Sequence, residues 1–157
     1  MRDEDWKYTG VHPIARVAWS RAAVVPPEEI RAARAAVDPL LLHLAGGAAL
    51  VFVNGRFAPE LSASSRPAGL FVGPLSKAIA ASAAVVERTT IEAESGPRSA
   101  FENLNDATCE DGALVHLTKG TCLLVPIDVV YVTIVSPGAP PPAVAPGRSS
   151  SPRPRRG

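Results

Sequence analysis

The side chains able to do chemistry are few and scattered. Two cysteines, Cys109 and Cys122, bracket His116 in the pattern C-x6-H-x5-C. Thiolate and imidazole ligate zinc, iron and iron–sulfur clusters, but this spacing matches no usual knuckle, and a cluster wants about four ligands. Small buried cysteines are commonly inert core fillers, so no metal site is expected. The other histidines, His12 and His43, lie far from it and from each other. His43 falls in an apolar turn beside Leu41 and Leu44 and reads as structural. His116 shares a strand face with Leu114 by alternation.

The acidic pairs Glu28/Glu29, Glu92/Glu94 and Glu110/Asp111 are the remaining candidates for acid–base work. Each falls at a helix start or in a polar connector, where capping or solvated carboxylates are expected. No phosphate loop, dinucleotide fingerprint or G-x-S-x-G elbow occurs in the sequence. The expectation is a non-enzyme with no catalytic, cofactor-binding or metal-binding residues and no cofactor.

The elements around these residues are easier to place. Pro13 opens a short amphipathic helix through Ile14, Val17 and Ala18, with Trp6 and Trp19 packing around it. Pro26-Pro27-Glu28-Glu29 opens a clearer one: a first-turn proline loses no bond, and the glutamates face the positive helix end. Ile30, Ala33, Val37, Leu41 and Leu44 then recur at helical spacing. Asp38-Pro39 reads as an N-cap and first-turn proline restarting the helix, which Gly46-Gly47 ends.

The period then changes. Residues 49–53 read as a buried strand, and Asn54-Gly55 as a two-residue hairpin turn onto Arg56-Phe57-Ala58. Pro59 limits the return strand. After a polar loop at 62–67 come a short strand at 69–72 and a helix capped by Ser76 running to about Val86. A further helix spans 97 to about 108, with Phe101, Leu104 and Thr108 on one face. From residue 113 the texture is all strand: 113–117, 123–127 and 129–135, divided by turns.

Composition sets the limits. Apolar residues make up 46% of the 157, yet aromatics only 5%, so the core is built from Val, Leu, Ile and Ala. The net charge of +1 is uneven: no acidic residue follows Asp128, while Arg148, Arg153, Arg155 and Arg156 lie in the last ten. The body is mildly acidic and offers no electrostatic footprint for nucleic acid. No apolar run is long enough to span a membrane, and the charged start is no signal peptide. Two cysteines without a disulfide framework fit a reducing, cytoplasmic setting. The tail from Ser136 holds 7 of the 16 prolines and reads as disordered.

Read in order, these segments resemble a known family. The opening Asp-Trp-Lys-Tyr-Thr at 5–9, LVFVNGRFAPELS at 50–62, Gly-Pro-Leu at 73–75 and FENLNDATCEDGALVHLTKG at 101–120 look like the N-terminal region of SufD-type proteins. The likeness covers about residues 4–135. It implies a component of the Suf iron–sulfur cluster assembly scaffold, partnered by SufB-like and SufC-like subunits, with a right-handed parallel β-helix core. The expected architecture is α+β: a helical region with a β-hairpin over 1–111, the first strands of a truncated β-helix over 112–135, and a disordered Pro/Arg-rich tail over 136–157. Most of the family's β-helix and its C-terminal helical region have no counterpart here. The tail reads as out-of-frame translation, so a truncated, non-functional fragment is one expectation. A separate reading is a small α+β interaction module that uses an exposed β-edge. A β-helix enzyme is disfavoured, because Lys119 and Asp128 are the only charged residues between Ala113 and Val135.

Overall fold

The structure is a computed structural model that describes residues 10, 12–41, 47–63, 69–81, 100–124, 126–135, 138, 140 and 142–144. Trp6, His43, Glu92, Glu94 and Pro97 lie outside the described residues, as does most of the tail.

The chain is mixed α and β. Helix α1 (His12–Ala15) leads to strand β1 (Ser20–Arg21). Helices α2 (Pro27–Ala32) and α3 (Arg34–Val37) follow, nearly continuous through Ala33. Pro27 opens α2 without a side-chain cap; the Pro26 carbonyl accepts the Glu29 and Ile30 N–H groups instead. The spacing of Ile30, Ala33, Val37 and Leu41 has the expected result: Val37 is fully buried and the other three pack against the same cluster. Asp38 differs from expectation. It lies inside a single 3-10 turn, Asp38–Leu40, makes no cap bond, and sits 3.6 Å from Arg34. A capping side chain needs an extended backbone at its own position, whereas Asp38 is helical.

Strand β2 (Ala48–Val53) is buried along its whole length. Its alternating side chains supply two cores. Val51 and Val53 join Val25, Val37, Ala58 and Leu61 on one face; Leu50 and Phe52 join Ala113 on the other. A strand covered on both faces reads as an unbroken apolar run, which explains AALVFV. Asn54-Gly55 then turns the chain onto β3 (Arg56–Phe57), pairing Val53 with Arg56. Both turn residues have positive φ, 50° and 80°, as a type I′ turn demands.

Strand β4 (Leu70–Pro74) runs directly into helix α4 (Leu75–Ala81). After helix α5 (Ala100–Thr108), strand β5 (Ala113–Leu117) returns antiparallel along β4. Strand β6 (Ile127–Val132) instead pairs with β2, parallel and in register from Ala48↔Ile127 to Val53↔Val132. Leu123 and Leu124 lie outside any strand, and Leu124 is 94% exposed. Strand β7 (Pro142–Ala143), within the segment expected to be disordered, pairs parallel with β1. The described strands form three small sheets, ordered β1-β7, β3-β2-β6 and β4-β5, with no closed barrel.

Candidate functional site

Among the described residues, Glu110 gathers two ion pairs and Asp111 three hydrogen bonds at their carboxylates. Helix α5 ends at Thr108, and the chain passes through Cys109, Glu110 and Asp111 before entering β5. Each takes a different partner. Oε1 of Glu110 accepts from Nε and Nη2 of Arg21 on β1, both at 2.5 Å. Its Oε2 meets Nη2 of Arg56 on β3 at 2.5 Å. The carboxylate is thus held between two guanidiniums contributed by two different sheets. Its side chain is 16% exposed, against 79% for Arg21 and 44% for Arg56. The arginines therefore reach inward from solvent to a carboxylate the fold already holds.

Asp111 is buried, and its carboxylate accepts three hydrogen bonds. Oδ1 takes the N–H of Ser76 at 3.0 Å and that of Gly112 at 2.8 Å; Oδ2 takes the Ser76 hydroxyl at 2.9 Å. The Gly112 carbonyl accepts the Leu75 N–H at 2.7 Å. Helix α4 is therefore capped from across the fold by Asp111, and Ser76, expected as the cap, donates to it instead.

Cys109 donates its thiol hydrogen to the Asp111 carbonyl at 3.2 Å. Burial raises its pKa, and the neighbouring Asp111 and Glu110 charges push the same way, against the opposing effect of hydrogen bonding from the Asp111 backbone. A thiol so placed stays protonated and is a poor nucleophile or metal ligand. Cys122 is exposed, and both cysteines are free thiols. His116 lies on β5 opposite Phe71. Among the described residues, no three His, Cys, Asp or Glu side chains gather to hold a metal ion. The Glu28/Glu29 pair occupies the first turn of α2.

Asn54 has a role that its turn motif alone could not announce. Only 4% exposed, its side-chain Oδ1 accepts the Ile134 N–H at 2.9 Å. Its Nδ2 donates to the Ala23 carbonyl at 3.2 Å and the Ile134 carbonyl at 3.4 Å. One turn residue thus ties the hairpin to the end of β6 and to the segment before α2.

Above the clamp lies an open groove of about 880 Å³. Ile14, Trp19, Phe101 and Leu104 contribute its apolar wall, and Arg21 and Glu110 its polar side. Trp19 is 49% exposed, its indole N–H spent on the Ile14 carbonyl at 2.8 Å. Packing around α1, the expected role of this residue, is therefore only half of what it does.

No protein-family profile matches the chain. Over 136 residues, 87% of its length, it is 28% identical to a protein of Synechocystis sp. named as an iron–sulfur cluster assembly SufBD family protein. The chain spans 29% of that relative's length. Among the described residues, no helix is long and apolar enough to cross a membrane.

Proposed function

We propose that this chain is a SufD-like component of an iron–sulfur cluster assembly scaffold, a partner of SufB-like and SufC-like subunits in the cytoplasm. It is a structural component, not an enzyme. The observation that carries the reading is the similarity to the SufBD family protein, which runs through 87% of the chain. Two features support it. Glu110 and Asp111, the best-placed carboxylates, are each consumed by structural partners. And β6 lies parallel and in register against β2 over six residue pairs, the sense of pairing that a parallel β-helix uses. On this reading the cluster is cargo, and no residue of this chain is assigned to holding it.

The test is co-purification. A tagged chain, expressed with the SufB-like and SufC-like proteins of its own organism, should elute with them at fixed stoichiometry through affinity and size-exclusion steps. Elution without either partner overturns the proposal. A second reading, an interaction module that pairs through an open edge, is favoured by one observation: β6 is an edge strand of its sheet among the described strands. That reading gains if the chain captures other strands but neither Suf subunit.

A further inference from the structure

The hairpin turn that ties β2 to the end of β6 also carries latent covalent chemistry. Of the three asparagines, Asn54, Asn103 and Asn105, only Asn54 precedes a glycine. Glycine has no side chain to hinder its own backbone nitrogen from reaching the preceding side-chain amide. In an open chain the Gly55 nitrogen loses its proton to hydroxide and bonds to Cγ of Asn54. The Cγ–Nδ2 bond breaks, ammonia leaves, and a cyclic imide remains. Water then opens the ring at either carbonyl, giving aspartate or an isoaspartyl linkage at position 54.

The fold holds the reacting groups off this path. Asn54 is 4% exposed and Gly55 is buried. The nitrogen that must leave donates to the carbonyls of Ala23 at 3.2 Å and Ile134 at 3.4 Å. Its Oδ1 partner atom accepts the Ile134 N–H at 2.9 Å. The backbone N–H of Asn54 donates to the Val132 carbonyl at 2.9 Å. Ring closure needs the amide to abandon its partners and fold back over the Gly55 nitrogen. Those partners lie before α2 and just beyond β6, so the amide is freed only when these segments come away from the turn.

We infer that Asn54-Gly55 is a deamidation site gated by the docking of the chain after β6. The amide persists in the folded molecule and is converted when that contact opens. The product has no way back to the same seat. Aspartate there sets a carboxylate against two carbonyl oxygens in a buried position. An isoaspartyl link adds a backbone carbon inside a two-residue turn, whose length sets the pairing of Phe52 with Phe57 and Val53 with Arg56. Conversion is therefore a one-way step from the opened state, chemical modification that prevents faithful refolding. Where opening and closing are fast against the chemistry, the rate follows the open fraction. Freeing a buried amide from its hydrogen bonds keeps that fraction small, and the expected protection is at least about tenfold.

The experiment compares the full chain, the full chain in urea and the peptide ALVFVNGRFA, residues 49–58, at one mildly alkaline pH. Peptide mass mapping reads amide-to-acid conversion at Asn54, with Asn103 and Asn105 as references in the same digest. The folded chain should convert at least about tenfold more slowly than the peptide. Its rate should rise with urea along the unfolding transition seen by circular dichroism. Chain converted in urea and then diluted should refold with a lower urea midpoint than unconverted chain, or fail to refold. Equal conversion of folded chain and peptide overturns the inference, as does no conversion of Asn54 in urea. So does a rate that stays flat across the transition, conversion of Asn103 in urea as fast as that of Asn54, or an unchanged midpoint after conversion. No Suf partner enters the assay, so its outcome is independent of the proposed assembly role.

Discussion

Cys109 shows how far a residue's identity falls short of its chemistry. Cysteine, histidine and two carboxylates within a few positions suggest ligands or a nucleophile. The fold assigns each to a different task, and Cys109 becomes a half-buried thiol beside two negative charges. Its pKa is raised, first by burial and then by Asp111, so the folded state holds its proton to higher pH than the unfolded chain does. The stability this gives is complete below the ordinary thiol pKa and is lost as pH rises through the elevated folded value. Iodoacetamide at mildly alkaline pH should therefore modify exposed Cys122 first, with Cys109 lagging about tenfold. The urea midpoint should also fall at alkaline pH, and Cys109→Ser should remove that contribution. Equal alkylation rates, read by peptide mass mapping, would contradict the assignment. The Arg21–Glu110–Arg56 clamp was not visible in the sequence, because its three members come from β1, the α5–β5 connector and β3, and no local pattern encodes that meeting.

At the scale of elements, legibility followed locality. The hairpin was plain in the sequence because Asn-Gly satisfies the φ requirement of its turn within two residues. The α2–α3 stripe was plain because helical spacing is local too. The α4 cap was misassigned, since the capping carboxylate, Asp111, lies 35 residues from Ser76. The hairpin also carries a load its motif hides. Asn54→Gly keeps a residue at ease with positive φ but removes the amide that binds Ile134 and Ala23. The half-buried Ile134 N–H would lose its acceptor. The expected loss is about 2 kcal/mol in urea unfolding. Asn54→Asp should cost more, because it turns a donor into a carboxylate facing two carbonyls. A substitution within about 0.5 kcal/mol of the parent would show that Asn54 serves only the turn.

For the molecule as a whole, the deciding feature is the order β3-β2-β6. Pairing β6 with β2 joins segments far apart in the chain, and such non-local pairing leaves no short-range signature. The sequence showed that the last strands were apolar and β-branched, but not which neighbour they would choose. Once β2 is enclosed by β3 and β6, β6 is an edge among the described strands. Around it Tyr131 is 38% exposed, Val135 56% and Leu124 94%. Edge strands are usually blunted by charge, proline or a bulge. Strand β6 itself carries one charged residue, Asp128, and no proline. Both faces of the strand are committed to the cores, Val130 and Val132 to one and Val129 to the other, so the edge cannot be softened by turning the strand over. The chain by itself should therefore associate through β6 at tens of micromolar. Size exclusion with light scattering should show mass rising with concentration. Val135→Lys, which places a charge beside the edge without touching the cores, should shift the profile toward monomer at equal loading. A sharp monomer peak independent of concentration would mean that the β6 edge is covered. A rising mass left unmoved by Val135→Lys would place the contact elsewhere on the surface.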